Sequence, residues 1–347
     1  MLLGSAAAAC RAAGRGQQRF EGRPLCVGDR RRVHRATVPA RRGGAGTTGM
    51  AESAMMSFGI GVGYWGAGPP KNVERVLAEA EEVGVESMWT AESYGSDAIS
   101  PLAWWGTRTS AMRLGTAMCQ ISARTPIALA MAAATIDHLS SGRMVVGIGA
   151  SGPQVVEGWY GQPYPRPLER TREYVEIMRA VWTRNEPVAY SGRHYQLPYT
   201  GDGAAGLGKP LKSTVHPLGS DIPVYLGAEG PKNVALAAEI ADGWLPLWFS
   251  PKSDDFYRKA LTEGFARPTA RRDQNSFDVA GVIWVSEHDD VETAAARIKS
   301  VIALYAGGMG AKDVNFHNDI FVRMGWGEVC SKVQELYLSG RNGKPQK

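Results

Sequence analysis

Residues 147–152 read GIGASG and residues 61–66 read GVGYWG, and both carry the GxGxxG spacing that brings a bare backbone up to a dinucleotide pyrophosphate. A third glycine turn, GAEGPKN, occupies residues 227–233. The dinucleotide geometry needs the last glycine to open a helix. After GVGYWG the stretch GAGPPKN intervenes, and after GIGASG the run PQVVEGWYGQPY reads as a loop, so no helix is expected to start there at once. Ala150, Ser151 and Gly152 still lie at a strand's C-terminal end, where they can approach a flat ring or a phosphate. GAEGPKN makes the better phosphate cradle. Gly227, Ala228, Glu229 and Gly230 turn the chain, Pro231 takes the first helical position, and Lys232 and Asn233 follow. Free backbone N–H groups, a positive helix end and a cation then coincide. The plain alternative for each motif is an ordinary strand-to-helix turn. A fourth stretch, GAAGLGKP at 203–210, imitates a nucleotide P-loop, but Pro210 stands where the Mg-binding Ser/Thr belongs, which argues against an NTPase.

Metal and disulfide chemistry find little support. Cys10, Cys26, Cys119 and Cys330 form no CxxC, and no two of the six His have i, i+4 spacing. The net charge of +5 is uneven: ten Arg against Glu21 and Asp29 give the first fifty residues +8, leaving −3 for the rest. Nothing in the body suggests a nucleic-acid groove, and no apolar run is long enough for a membrane helix. Residues 1–55 read as a disordered basic leader, which fits an over-extended start before Met56 or, less well, a transit peptide. A cytoplasmic setting fits the cysteine usage.

The elements behind these motifs alternate. Strand-like runs at 57–65, 86–92, 112–121, 143–151, 222–230, 243–248 and 277–287 are followed by helix-like runs at 70–84, 99–110, 125–142, 168–183, 231–243, 253–266 and 290–308, with a last helix at 327–340. An eighth strand is expected within 309–326. Apolar strands in regular βα repetition point to an α/β fold, a (β/α)8 TIM barrel rather than a Rossmann domain. The Gly- and Pro-rich stretch 187–221 reads as an insertion over the C-terminal mouth.

From Met56 to Gly340 the chain resembles the bacterial-luciferase-like superfamily, and within it the oxidoreductases that use the deazaflavin coenzyme F420. The stretches carrying the likeness are FGIGVGYWGAGPPKNVERVLAEAEEVGVESMWTAESYGSDAISPLAWW, GTAMCQISARTPIALAMAAATIDHLSSGRMVVGIGASGPQVVEGWYG and IPVYLGAEGPKNVALAAEIADGWLPLW. The resemblance implies a ring lying across the barrel mouth, a non-proline cis peptide at Ala117–Met118 pressing on it, Glu92 near its pyrimidine edge and the phosphate end at GAEGPKN. The sequence departs from relatives acting on sugar phosphates and alcohols. Ser93 stands where they carry His, and Gly152-Pro153 stands where they carry Glu, with Glu157 the nearest acid.

Three readings follow. The first is an F420-dependent oxidoreductase acting on a small, apolar organic substrate, with Glu92, Ser93, Gln120 and Ser151 as candidate catalytic groups and Trp65, Tyr94, Trp159 and Trp248 as candidate pocket walls. The second is an FMN-dependent monooxygenase served by a flavin reductase. The third is a flavin-binding barrel without turnover. For Glu92 a strand-end salt bridge is the alternative to a ring contact. A homodimer is implied by the resemblance alone.

Overall fold

The computed structural model describes residues 56–340, apart from residue 220 and residues 311–314. The basic leader, with Cys10, Cys26 and His34, lies outside them. In chain order the elements are β1 (Gly59–Gly63), α1 (Val73–Glu82), β2 (Ser87–Thr90), α2 (Ile99–Gly106), β3 (Arg113–Thr116), β4 (Cys119–Gln120), α3 (Pro126–Ser140), β5 (Met144–Gly149), α4 (Pro153–Gly158), α5 (Pro167–Thr183), β6 (Tyr190–Ser191) and β7 (Gln196–Leu197). Then come β8 (Val224–Gly227), α6 (Pro231–Ile240), β9 (Gly243–Leu245), α7 (Asp254–Phe265), β10 (Asp278–Val279), α8 (Val291–Ala303), α9 (Phe316–Phe321) and α10 (Gly327–Leu338).

The main sheet runs β1-β2-β3-β5-β8-β9-β10, every pair parallel, with β4 alongside β5. Strand order that follows chain order without reversal curls into a barrel wall; a doubly wound Rossmann sheet reverses at its switch point. All seven expected strand segments are present, the third broken into β3 and β4 at Ala117–Met118. Local signals set the helix ends. Thr125 caps α3 by accepting from Ala128 N–H, Pro126 fills the first turn, and Ser141 and Gly142 turn out of the helix in left-handed conformations.

The wall stops short of closure, giving a TIM-barrel-like half-barrel. Only Asp278–Val279 of the seventh expected strand joins the ladder. The expected eighth strand is not seen among the described residues: residues 316–321 are helical, because Asn315 caps them by accepting from the His317 and Asn318 N–H groups. Without an outer neighbour, residues 281–287 leave Ile283 and Val285 exposed.

Two further expectations are corrected. A helix does follow GIGASG at once, since Gly152 precedes α4 and Pro153 opens it, although α4 lasts only six residues. The 187–221 insertion connects α5 to β8, and such a connection begins at the strands' N-terminal side. It packs along the outside of α5, where Glu173 accepts from the N–H groups of Arg193, His194 and Tyr195. Near the start of α5 the Tyr195 hydroxyl accepts from Arg170.

Candidate active site

The glycines of the strand exits are required by the barrel interior. A Cβ on Gly147 would stand 1.8 Å from the Thr116 carbonyl oxygen. A Cβ on Gly149 would stand 2.0 Å from the Met118 sulfur, and one on Gly227 would stand 1.8 Å from the Met118 methyl. Two glycine motifs therefore make room for one methionine. Met118 packs with Trp89, Ala117, Val145, Tyr225, Leu245 and Ala280 to fill the lumen. Below them Arg113 donates to the Tyr225 hydroxyl and to Asp278. The Ala117–Met118 peptide is cis and forms the floor of the mouth.

Glu92, at the exit of β2, is a buried clamp. Its Oε1 accepts from Gln120 N–H and Arg124 Nη1, both at 2.8 Å, and its Oε2 accepts from Arg124 Nη2 at 2.8 Å and Ala98 N–H at 3.1 Å. Burial opposes the Arg124 charge, but its hydrogen bonds to Glu92 outweigh that and hold it more firmly protonated than usual. With four donors on it, the carboxylate joins β2, the cis turn and the start of α2. Gln120 is buried beside it, with Nε2 on the Glu92 carbonyl and Oε1 without a protein partner. Burial also pushes the neighbouring Cys119 thiol up to about 12, which makes it inert.

Ser93 follows Glu92 with its carbonyl accepting from the Tyr160 hydroxyl, and Ser151 stands in the left-handed region with its carbonyl accepting from the Tyr164 hydroxyl. Ala150, Ser151 and Gly152 thus line the exit of β5 next to the cis turn. Glu157 is exposed.

At the exit of β8, Gly230 precedes α6, Asn233 donates to the Gly227 carbonyl, and Lys232 is exposed. Ala228 is buried. Glu229 turns inward, accepting from Leu247 N–H at 2.7 Å and the Tyr257 hydroxyl at 3.2 Å. Sequence reading missed Arg323. It follows α9, donates to the Glu229 carbonyl at 3.3 Å and lies 4.6 Å over the Phe256 ring, with its Nε buried and unpartnered. Separated by 94 residues from that loop, it has no local signal.

Burial pushes the Glu229 carboxyl up to about 7. Its folded pKa lies above its ordinary value of 4.5, so between pH 4.5 and about 7 the folded state holds more protons than the unfolded chain, and stability falls as pH rises. Glu229→Gln should flatten that decline in urea unfolding measured from pH 4.5 to 8. An unchanged slope would show that Glu229 does not cause it.

The exits of β9 and β10 meet the C-terminal segment in an aromatic wall. Trp248 stacks on Trp284 at 6.1 Å and also contacts Tyr305 and Phe321, while Tyr305 packs edge-on against His317. Trp248 Nε1, Trp284 Nε1 and His317 Nδ1 are buried without partners. Burial lowers His317 to about 4, so it is neutral at pH 7. Of the other expected wall residues, Trp65 packs on Trp105 at 5.4 Å, and Tyr94 and Trp159 are 48% and 64% exposed.

A methionine floor, an aromatic side and unpartnered polar atoms at the edges fit a planar ring with a hydrogen-bonding rim. The start of α6, with Lys232 and Arg323 near it, fits an anionic tail. Among the described residues no cluster of His, Cys, Asp and Glu is arranged to hold a metal, and no helix is long and apolar enough to cross a membrane.

The sequence profile of the family described as luciferase-like monooxygenase matches residues 46–345. A protein of Mycobacterium tuberculosis, provisionally named a coenzyme F420-dependent oxidoreductase, is 56% identical over 288 residues, covering 83% of each chain. The 5,10-methylenetetrahydromethanopterin reductase of Archaeoglobus fulgidus is 29% identical over 279 residues, covering 76% of this chain and 79% of its own. The solved coenzyme F420-dependent tetrahydromethanopterin reductase of Methanopyrus kandleri superposes with a TM-score of 0.63 at 24% identity, covering 81% of this chain and 85% of its own. A profile spanning most of the sequence, on a singly wound parallel wall, establishes that this chain belongs to the luciferase-like monooxygenase family.

Proposed function

We propose that the protein is a coenzyme F420-dependent oxidoreductase acting on a small, apolar organic substrate. The observation that carries the cofactor is the 56% identity, over 83% of both chains, to a relative named for F420. The site geometry is compatible with it. When bound, the deazaflavin exchanges a hydride at its ring carbon. The cis turn at Ala117–Met118 would support one face of the ring, and Ala150, Ser151 and Gly152 would line its side. Gly230, Lys232, Asn233 and Arg323 would hold the phosphate-bearing tail. Glu92 and Arg124 would fix the turn that positions Gln120, whose free Oε1 faces no protein donor. The apolar substrate is supported by the Trp248, Trp284 and Phe321 wall and by the lack of a free carboxylate at the β2 exit.

Titration of the full chain with F420 and with FMN, followed by the fluorescence of its ten Trp, tests the cofactor. Saturable quenching by F420 at concentrations where FMN gives none is expected. The opposite preference would move the protein to the flavin monooxygenases, with oxygen uptake as the next assay. Silence with both would leave a barrel without its cofactor.

A further inference from the structure

A buried polar atom without a partner costs about 1–3 kcal/mol, so where such atoms gather, a ligand or ordered water is expected to meet them. Among the described residues seven buried side-chain polar atoms lack a protein partner. Four of them share one place, the aromatic wall beyond β9 and β10: Trp248 Nε1, Trp284 Nε1, Ser286 Oγ and His317 Nδ1. The sheet brings them together. Ala280 N–H donates to the Trp244 carbonyl and Val282 N–H to the Pro246 carbonyl, so the chain beyond β10 keeps step with the chain beyond β9. Trp284 then arrives on Trp248, with ring centroids 6.1 Å apart and planes 22° apart. Side chains alternate along extended backbone. Ala280 packs in the lumen with Leu245 and Met118, so Trp284 and Ser286 share its face, while Ile283 and Val285 point outward and are exposed. The C-terminal segment completes the wall. Tyr305 at 5.6 Å and Phe321 at 5.2 Å pack on Trp248, and His317 stands edge-on to Tyr305 at 4.9 Å.

We propose that this wall is the substrate-recognition site, and that it takes a small, uncharged ring compound through an oxygen acceptor bound by the indole N–H groups of Trp248 and Trp284. Its role as a substrate site rests on the F420 reading above; its preference for an acceptor does not.

The donor set selects the ligand. An indole nitrogen carries a donor and no acceptor, so two of the four orphaned atoms can be met only by a lone pair. A hydrocarbon leaves both unmet. Among the described residues the cation–ring contacts fall on Tyr195, Phe256 and Trp326, none of them in this wall. A carboxylate or phosphate would therefore bury its charge unpaired, and a ligand cation would meet N–H donors that repel it. Burial lowers His317 to about 4, so it adds no charge at pH 7. Ser286 and neutral His317 remain free to meet a second polar group on the ligand. The four atoms are closed to bulk water, so the ligand must part Tyr305 and Phe321 from Trp248. Both lie on or beside wide π turns, Leu304–Gly308 and Val322–Trp326, a geometry frequent at functional sites.

The test uses the full chain with 15N in its ten tryptophan indoles, the Trp248 and Trp284 N–H signals being assigned from W248F and W284F. Three probes of similar shape are added without cofactor: acetophenone, ethylbenzene and benzoate. Acetophenone should move both N–H protons downfield, saturably. Ethylbenzene should not, and benzoate should bind at least ~10-fold more weakly. W284F keeps an aromatic ring but loses the donor, and should weaken acetophenone about 5–10-fold. Should W284F fail to fold, the wild-type shifts decide alone. No shift with acetophenone would leave ordered water as the partner of these atoms and overturns the proposal. An equal response to ethylbenzene removes the acceptor from it. With F420 bound, acetophenone should still move both signals. Exclusion of acetophenone by F420 would give the wall to the cofactor and overturn the substrate role. Failure of F420 to quench the wild type sinks the functional reading, while the acetophenone shifts, measured without cofactor, still judge the acceptor site.

Discussion

Glu92→Ala should cost about 3–5 kcal/mol of folding stability, because it strips the partner from a buried cation. Arg124 donates twice to Glu92, with only 20% of the arginine side chain and 3% of the glutamate side chain exposed. Removing the carboxylate also orphans the Gln120 and Ala98 N–H groups. Glu92→Gln should fall between, since an amide presents N–H to a guanidinium that has only donors. Replacing both residues by methionine should restore much of the stability, because two apolar side chains need no desolvated charge. The same double variant should bind F420 more weakly, because the Gln120 N–H would lose the carboxylate that fixes Gln120 at the mouth. Urea unfolding of the three variants beside the wild type checks the first part. A loss below about 1 kcal/mol in Glu92→Ala would mean that the pair is exposed in solution.

Gly147→Ala should be as damaging, and more so than Gly149→Ala. The added methyl of residue 147 meets backbone, the Thr116 carbonyl oxygen at 1.8 Å, and that carbonyl is fixed in the centre of the sheet. At Gly149 it meets the Met118 sulfur, the middle of a flexible side chain. Overpacking of this kind costs about 1–3 kcal/mol, and the rigid neighbour puts Gly147→Ala at or above the upper end. Met118→Ala should rescue Gly149→Ala and leave Gly147→Ala unrelieved. Thermal unfolding of the single and double variants measures this. Equal penalties, or equal rescue, would show that Met118 does not occupy the groove between Gly149 and Gly227.

These two sites also mark where pattern reading succeeds and stops. GIGASG was legible as a motif but not as a cause. Its glycines were open to a phosphate reading, whereas the structure uses Gly147 and Gly149 to admit Thr116 and Met118. The helix opening at Pro153 was missed because six residues give too little period to detect. No eighth strand is seen among the described residues, because Asn315, a cap, makes the apolar residues after it helical. The insertion was assigned to the mouth by its composition, while Glu173 on α5 decided where it lies.

By itself the sequence determined the βα alternation, the helix ends at Thr125-Pro126 and Ser141-Gly142, the family and the position of the cis turn. Each is written in periodicity, caps or a stretch long enough to compare. Only the tertiary structure decided the partners of Glu92 and the arrival of Arg323, Tyr305 and His317 at the mouth. A side chain's partner depends on which strand ends the curled sheet brings together. Local pattern carries no record of contacts between distant parts of a chain, so chemistry assembled from both ends of the protein becomes visible only once the wall has curled.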